Sequence, residues 1–247
     1  MRIALFSDIH ANREAFDACL AQAARQRADR MIFLGDLVGY GADPQYVIDR
    51  VRREMERGAL ALLGNHDEAA ASGAAANMND HARMALEWTH RKLDVESRAF
   101  LGALPLTIED GDTLFVHAEA SNPRDWNYIT GAAPAERSLR GTNFRVTFCG
   151  HVHRPQLYHM LPQRPPQFFA PQSGVATPLI ASRKWLCVLG AVGQPRDENP
   201  AAAWCLLDTE KTEITYHRAG YDIERAALKI RDAGLPRILA ARLFIGR

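Results

Sequence analysis

The sequence lacks the features that would point to a membrane protein or to a disulfide-stabilised secreted scaffold. No stretch of its 247 residues approaches the run of about 18 apolar residues that a transmembrane helix needs. Its four cysteines are far apart, and no two form a Cys-x-x-Cys pair: Cys19, Cys149, Cys187 and Cys205. Cysteines scattered among apolar residues are typical of small buried side chains in a reduced protein.

An excess of charge of one sign is also absent. The chain has 30 Lys and Arg against 29 Asp and Glu, which leaves a net charge of +1. Such a balance gives no basis for attraction to nucleic acids or to a membrane surface. The first residues include an uninterrupted run of only four apolar side chains before Ser7, too few for the core of a signal peptide. We therefore expect a cytoplasmic protein.

Strand-like apolar runs alternate with helical patterns through the first half of the chain. The runs "RIALFSD", "RMIFLGD" and "ALALLGN" are each followed by a helical pattern, and residues 68–104 are predicted to be helical. The second half contains mainly strand-like runs, with hairpins at Asp110-Gly111 and at residues 209–211. We find no repeat or linker, so we predict one domain, residues 1–247, with helices covering a sheet.

Polar side chains follow five of the apolar runs. They are Asp8 and His10, then Asp36, then Asn65 and His66, then His117, and finally His151 and His153. Ligands of open α/β sheets bind at the carboxyl ends of the strands, so we expect these side chains to meet at one edge. Glycine permits close approach of the backbone just before the polar residue in three of the runs, at Gly35, Gly64 and Gly150.

The chemistry of these side chains indicates a metal site. Seven of them are oxygen or imidazole donors, with no thiolate: Asp8, His10, Asp36, Asn65, His117, His151 and His153. Such donors are suited to a site for Mn²⁺, Fe, Zn²⁺ or Co²⁺, and less so to a structural zinc site, which is built from cysteines. Seven ligands exceed what one such ion takes from protein while keeping an open position, so two ions sharing one carboxylate fit the count.

The blocks resemble the motifs of the calcineurin-like metallophosphoesterases. They occur in the order Asp-x-His, Gly-Asp, Gly-Asn-His-Asp, His and Gly-His-x-His across residues 8–153. The stretches "GDLVGYGADP", "NPRDWNYI" and "VGQPRDENPAAAWCLLD" resemble the compact bacterial and archaeal branch, which is of the phosphodiesterase type. The resemblance implies an α/β fold in which a β-sandwich of two sheets is flanked by helices, in the layer order α/β/β/α.

The resemblance also implies a role for each donor. The first metal would be bound by Asp8, His10, Asp36 and His153, and the second by Asp36, Asn65, His117 and His151. The ions would be manganese, with iron, zinc, cobalt or nickel as alternatives, and a metal hydroxide would attack phosphorus. His66 would face the substrate, where it steadies the phosphate or protonates the leaving group. An imidazole pKa of about 6.5 suits that proton transfer.

Further candidates lie beside these blocks. Arg13, Arg124 and Arg154 are predicted to bind a substrate phosphate, and a solvated arginine is the alternative for each. Loop aromatics either stack a nucleobase or simply pack: Tyr40, Trp126 and Tyr128. The remaining histidines are interpreted as structural or exposed: His81, His90, His159 and His217.

One block departs from the phosphoprotein phosphatases of the superfamily. Those phosphatases have a stretch similar to "GDLVDRG", and this chain has "GDLVGYG" in its place. Gly39 therefore replaces an Asp that orients the catalytic His, and Tyr40 replaces an Arg that binds phosphate. The partner of His66 therefore stays unassigned. Asp67 is adjacent, but neighbouring side chains in an extended chain point apart.

We predict a dinuclear hydrolase of phosphodiesters or phosphomonoesters whose substrate is a small molecule such as a nucleotide. Alternatives on the same site are a diadenosine-polyphosphate hydrolase and a phosphoprotein phosphatase. A non-catalytic scaffold with this fold is a third alternative, which the complete set of donors disfavours. A nuclease is disfavoured by the even charge balance. The oligomeric state stays open, because the apolar residues near the C-terminus could dock on a second copy or on the chain's own core.

Overall fold

The computed structural model describes residues 1–73 and 78–247. Its strands are β1 (Arg2–Phe6), β2 (Arg30–Phe33), β3 (Leu60–Ala61), β4 (Thr107–Asp110), β5 (Thr113–Val116), β6 (Val146–Cys149), β7 (Gln156–Met160), β8 (Gln167–Phe169), β9 (Ala176–Pro178), β10 (Lys184–Val188), β11 (Ala202–Asp208) and β12 (Glu213–Ala219). Its α-helices are α1 (Arg13–Arg25), α2 (Pro44–Met55), α3 (Asn65–Ser72), α4 (Asp80–Lys92), α5 (Val95–Gly102), α6 (Ala132–Arg140), α7 (Ile223–Asp232) and α8 (Arg237–Ile245). A short 3₁₀ turn covers Pro123–Asp125.

The strands form two mixed sheets. The first has the order β3-β2-β1-β11-β12-β9, and the second has the order β4-β5-β6-β10-β7-β8. In the first sheet β1, β2 and β3 are parallel, and in the second β5, β6 and β10 are parallel. The predicted hairpins β4–β5 and β11–β12 are antiparallel pairs, as expected from their turn residues. The parallel groups bring successive carboxyl ends of strands to common edges.

The alternation of side chains along β1 explains how the layers are stacked. Ile3 and Leu5 lie in the apolar cluster between the sheets, which also contains Phe148 and Trp185. The alternate residues of β1, Ala4 and Phe6, point the other way, because successive side chains of a strand face opposite sides. Phe6, for example, lies in a cluster with residues of α1 and α2. A third cluster packs α6 against the outer face of the second sheet. The predicted α/β/β/α sandwich is therefore confirmed.

The local predictions differ from the structure at several places. The stretch predicted to be helical, residues 68–104, contains parts of α3, α4 and α5, and its residues 74–77 lie outside the described residues. Helix α6 was not predicted. The helical stretch predicted from residue 68 begins earlier, at Asn65, because Asp67 accepts a hydrogen bond from the backbone N–H of Gly64 and so completes the helix start. Two short strands were not predicted, β8 and β9. Both pair along only one side, and their side chains are mostly exposed, so neither shows an alternation of apolar and polar residues.

The last two helices pack on the chain itself. Leu239 and Leu243 of α8 are buried with Ile230 of α7 and with Tyr40, which belongs to the loop after β2. Lys229 of α7 lies 2.6 Å from a carboxylate oxygen of Glu14, near the start of α1. Among the described residues, no helix is both long enough and apolar enough to cross a membrane.

Candidate metal centre and its cavity

Both sheets deliver polar side chains to one shared region. Asp8 and His10 follow β1, Asp36 follows β2, Asn65 and His66 begin α3 directly after β3, His117 follows β5, and His151 and His153 follow β6. Backbone hydrogen bonds tie these strand ends together: the N–H of His10 donates to the carbonyl of Asp36 at 2.9 Å, and that of Gly150 donates to His117 at 2.9 Å. Gly64 is required here, because a Cβ at this position would overlap the backbone nitrogen and Oδ1 of Asp36.

Four of the predicted donors form a first cluster. One ligand atom from each of Asp8, His10, Asp36 and His153 lies within 4.8 Å of the others, and all four side chains are buried. The Nε2 atoms of His10 and His153 are 3.1 Å apart. The carboxylate of Asp8 is 3.3 Å from Nε2 of His153, and that of Asp36 is 3.6 Å from Nε2 of His10.

The outer nitrogens of these two rings identify where their protons are. Nδ1 of His10 lies 3.1 Å from the carbonyl oxygen of Val38, and Nδ1 of His153 lies 2.7 Å from that of Gln194. A carbonyl oxygen only accepts, so each Nδ1 carries the hydrogen and each neutral ring directs a lone pair from Nε2 into the cluster. Burial lowers the pKa of both histidines, which favours the neutral rings. Four acceptors thus converge on one point, and a cation fits between them.

A second cluster shares Asp36. Ligand atoms of Asp36, His117 and His151 lie within 4.8 Å of one another. Nδ1 of His117 donates to the carbonyl of Leu34 at 2.7 Å, so its Nε2 faces the carboxylate of Asp36 at 3.4 Å. Burial opposes protonation of His117, but Asp36 overrides it and raises the pKa of His117 to about 9. In the chain alone a proton therefore lies where a cation would bind.

Two polar atoms beside the second cluster are buried without a partner. Within the residues that the structure describes, Oδ1 of Asn65 and Nε2 of His151 are buried and accept or donate no hydrogen bond. Burying such atoms unpaired is unfavourable. The other ring nitrogen of His151, Nδ1, lies 3.2 Å from Nε2 of His117 and so faces the second cluster. An amide oxygen and an imidazole nitrogen are both ligands that divalent transition metals accept. The donor set therefore fits a second cation that shares Asp36 with the first.

The charges of the two aspartates support the same fit. Burial would raise the pKa of Asp8, yet His153 and His117 hold it well below its usual range. Burial acts on Asp36 in the same direction, and His117 and His66 again keep its pKa low. Asp8 also accepts the backbone N–H of His151 at 3.0 Å. Both groups therefore stay ionised inside the protein, as metal ligands must.

His66 lies beside the clusters and lines the cavity above them. Its backbone N–H donates to Oδ1 of Asp36 at 2.8 Å. Burial lowers the pKa of His66 to about 4, with Asp36 opposing this shift. In the chain alone the ring is therefore neutral near pH 7, and not near the ordinary pKa that the sequence led us to expect. Its Nδ1 is buried without a partner among the described residues.

The aspartate that the resemblance to phosphoprotein phosphatases would place at position 39, to orient His66, has no counterpart here. Gly39 has φ +88, and a Cβ there would overlap Nδ1 of His66, so this backbone has no room for an aspartate. The imidazole instead contacts the rings of Tyr40 and His10, at centroid distances of 4.5 and 4.8 Å.

Asp67 has a role other than orienting His66. It lies in the first turn of α3, not in extended chain, and is fully buried. Its carboxylate accepts backbone N–H groups from Leu37 at 2.8 Å, Val38 at 3.2 Å and Gly64 at 3.1 Å. Asp67 therefore shapes the loop that carries Asp36 and the carbonyl that orients His10.

A cavity of about 510 Å³ opens above His66 and His151. Of the three arginines predicted to bind phosphate, Arg124 lines it. The guanidinium of Arg13 lies 4.1 Å from the ring centroid of Tyr46 and 3.5 Å from Asp17, on α1, and Arg154 is exposed. Neither is among the residues that line the cavity, so their binding of substrate stays a prediction.

A further cation near the site was not predicted. Arg196 lies in the loop after β10, and its charge acts on His66, His153 and Tyr40. Its guanidinium carbon is 5.6 Å from the ring centroid of Tyr40, and its backbone N–H donates to His153 at 3.1 Å. The stretch "VGQPRDENP" contains this arginine, but it follows its strand at a distance, and no periodic pattern marks it.

Left-handed backbone is concentrated in this region. Positive φ occurs at five of the seven predicted metal ligands, Asp8, His10, Asp36, His151 and His153, with values between 49 and 68. Such conformations cost about 1–3 kcal/mol each for residues other than glycine and collect at functional sites. The fold therefore holds these donors in place against a local cost.

The chain matches one family model over most of its length. The model for the calcineurin-like phosphoesterase superfamily domain matches residues 1–212. Among curated proteins, an uncharacterised protein of Methanocaldococcus jannaschii is 32% identical over 250 residues, which cover 99% of this chain and 98% of that protein.

Solved structures with the same fold include a metallophosphoesterase from Sphaerobacter thermophilus. It is 34% identical, with a TM-score of 0.86, and the match covers 100% of this chain and 99% of that one. A hypothetical protein from Pyrococcus horikoshii OT3 has a TM-score of 0.81 at 19% identity, over 100% of this chain and 98% of that one. The second likeness concerns the fold alone.

Proposed function

Because the chain belongs to the calcineurin-like phosphoesterase superfamily, we propose that it is a dinuclear metal-dependent hydrolase of phosphodiesters or phosphomonoesters of small molecules. Manganese is the proposed metal, with iron, zinc, cobalt or nickel as alternatives. The even charge balance supports a substrate other than a nucleic acid. The four free, buried cysteines agree with a cytoplasmic location.

One observation carries the proposal. Around Asp36, the rings of His10, His153 and His117 donate their Nδ1 protons outward to backbone carbonyls and direct Nε2 inward. The carboxylates and the inward nitrogens of the neutral rings of His10 and His153 repel one another unless positive charge lies between them. At His117 a proton occupies the place where a second cation would bind. A second cation would also satisfy Oδ1 of Asn65. We assign the first ion to Asp8, His10, Asp36 and His153, and the second to Asp36, Asn65, His117 and His151.

The chain's own residues would divide the chemistry as follows. When bound, two divalent cations supply a water of lowered pKa and polarise the phosphoryl oxygens. Asp36 would hold both cations, because its carboxylate belongs to both clusters. His66 lines the cavity and directs its ring towards the substrate, where it donates a hydrogen bond to a phosphoryl oxygen or to the leaving group. Arg124, on the same cavity, neutralises substrate charge.

The cavity argues against a phosphoprotein phosphatase. Gly39 and Tyr40 stand where such enzymes have an aspartate and a phosphate-binding arginine, and this backbone has no room for a side chain at position 39. A diadenosine-polyphosphate hydrolase remains an alternative on the same metal centre, since the clusters act on the phosphate and not on the rest of the substrate.

The first test removes the shared ligand. Asp36→Ala should lower bound manganese from about two ions per chain to less than one and abolish hydrolysis, because both clusters lose an anionic ligand. The measurements are elemental analysis and turnover of bis-p-nitrophenyl phosphate, p-nitrophenyl phosphate, cyclic nucleotides and diadenosine tetraphosphate. Asp110→Ala, at the half-exposed hairpin turn, is the matched control. Full metal content and activity in Asp36→Ala would contradict the proposal.

A second variant separates binding of metal from catalysis. His66→Ala should keep the metal content of the unaltered protein and lower kcat by about 10²–10³-fold, the usual effect of removing one hydrogen-bond donor to the transition state. His159→Ala, on β7, serves as the control for loss of an imidazole elsewhere. If His66→Ala lost both ions instead, the residue would be a ligand and its assignment here would be wrong.

A further inference from the structure

The cavity above the metal clusters is larger than a phosphate group requires. Its volume of about 510 Å³ lies in the range of pockets that bind whole small molecules. Its wall contains three aromatic side chains, one from the loop after β2 and two from the segment after the 3₁₀ turn: Tyr40, Trp126 and Tyr128. We call this cavity the aromatic cleft.

A carboxylate on α3 holds one side of the aromatic cleft in place. Oε2 of Glu68 accepts the indole N–H of Trp126 at 3.1 Å, and Oε1 lies 3.8 Å from a guanidinium nitrogen of Arg124. Glu68 is on the same short helix as Asn65 and His66. The indole of Trp126, which forms part of the aromatic wall of the cleft, is therefore fixed relative to the residues proposed to face the phosphate.

The aromatic rings themselves are placed against the metal clusters. The ring of Tyr128 stacks on His151 at 3.9 Å with an angle of 22°, and Trp126 meets His117 edge-on at 5.8 Å. About half of the Tyr128 side chain is nevertheless exposed. Trp126 has φ 51 and Tyr40 has φ 60, an unusual backbone for large side chains. Tyr40 and Trp126 also pack against apolar clusters of the chain, whereas Tyr128 leaves about half of its aromatic surface at the opening of the site.

We propose that the aromatic cleft binds the planar aromatic group of a phosphate ester, either an aryl group or a nucleobase, and that Trp126 and Tyr128 determine this specificity. The proposal rests on the function proposed above and extends it to the class of substrate. A planar ring stacks on an aromatic side chain whatever its substituents are. Such a substrate places its phosphate at His66 and its ring on the aromatic wall.

A matched pair of ligands tests the proposal. Adenosine 5′-monophosphate and ribose 5-phosphate carry the same phosphate on the same sugar carbon and differ in the base. Against manganese-loaded protein, adenosine 5′-monophosphate should bind about tenfold more tightly, both by calorimetry and as an inhibitor of bis-p-nitrophenyl phosphate hydrolysis. Equal affinities for the two ligands would overturn the proposal. Phenyl phosphate, measured in parallel, distinguishes a bare ring from a nucleoside as the group that is bound.

Variants assign the effect to the aromatic wall. Trp126→Leu and Tyr128→Leu should each reduce the affinity ratio by about fivefold or more while the affinity for ribose 5-phosphate stays unchanged. Phe169→Leu, an exposed aromatic residue on β8, should leave the ratio unchanged. Trp126→Phe keeps a ring and loses the hydrogen bond to Glu68, so it should retain most of the ratio even if Trp126→Leu is poorly folded. An unchanged ratio in folded Trp126→Leu and Tyr128→Leu proteins would overturn the proposal.

The outcome is independent of the catalytic test. If the protein hydrolyses no phosphate ester, the function proposed above fails, while calorimetry still compares the two ligands. If it hydrolyses esters but binds both ligands equally, the phosphoesterase function stands and the aromatic specificity fails.

Discussion

The side chain of Asp67 shows how one buried carboxylate can organise a site that it does not enter. Burial and the neighbouring Asp36 raise the pKa of Asp67, so its charge is unfavourable there. It is retained beside three backbone N–H groups, those of Leu37, Val38 and Gly64, which would otherwise be buried unpaired. Asp67 therefore stabilises the conformation of the loop that carries Asp36.

Removing this acceptor should destabilise the protein. Asp67→Ala is expected to lower the free energy of unfolding by about 2–4 kcal/mol, because backbone donors lose their partner. Asp67→Asn, which is neutral and keeps one acceptor oxygen, should cost less than half as much. Urea unfolding of the metal-free protein measures both. Asp80→Ala, whose carboxylate is highly exposed beside Arg83, should change stability by less than about 1 kcal/mol. Equal losses for Asp67→Ala and Asp80→Ala would refute this explanation.

Sequence patterns could locate the donors, because a short polar residue after an apolar run marks the end of a strand. They could not locate Arg196 or the carbonyl of Gln194, which reach the site through a loop without periodic pattern. They also treated Asp67 as part of an extended segment, whereas it lies in the first turn of α3. Whether Asn65 ends a strand or begins a helix depends on a hydrogen bond between Gly64 and Asp67, which only the folded backbone reveals.

The helix pair α7 and α8 provides the support for one wall of the site. Leu239 and Leu243 pack with Ala82 of α4 and with Tyr40, whose ring contacts both His10 and His66. The sequence showed the apolar residues of α8 but not their target, because α8 has apolar side chains around much of its circumference. Long-range packing of this kind cannot be deduced from periodicity alone.

A buried leucine and an exposed aromatic residue of α8 should differ in their effect on stability. Leu239 is fully buried, so Leu239→Ala should lower the free energy of unfolding by about 2–5 kcal/mol through lost burial and a cavity. Phe244→Ala, at a side chain that is 43% exposed, should lower it by less than about 1 kcal/mol. Guanidinium chloride unfolding distinguishes them. A larger loss for Phe244→Ala would mean that α8 packs through its other face.

Across the whole molecule, the three apolar layers that pack on the sheets each contain a thiol. Cys19 lies between the first sheet and its helices, Cys187 and Cys205 lie between the sheets, and Cys149 lies beneath α6. All four are free and buried, and burial raises the pKa of each. Their exposure to reagents therefore reports the opening of each layer separately.

These thiols should be unreactive until the protein unfolds. In the native protein we expect all four to react with a thiol reagent at least about 100-fold more slowly than in urea, because the reactive thiolate needs exposure and an ordinary pKa. Pulsed alkylation with peptide mass spectrometry measures each site. Similar protection at all four indicates one cooperative opening. If Cys149 reacted much faster than Cys187 under native conditions, the layer beneath α6 would open independently.

The left-handed backbone of the donors has a practical consequence for engineering heat resistance. Replacing a residue of positive φ by glycine is a common way to remove strain. Here that approach should be confined to positions remote from the candidate metal centre, such as Gln163 and Thr212, which also have positive φ. The same replacement at Asp8 or His151 would relieve the backbone strain but would also remove a proposed metal ligand. A variant stabilised in this way would therefore be inactive.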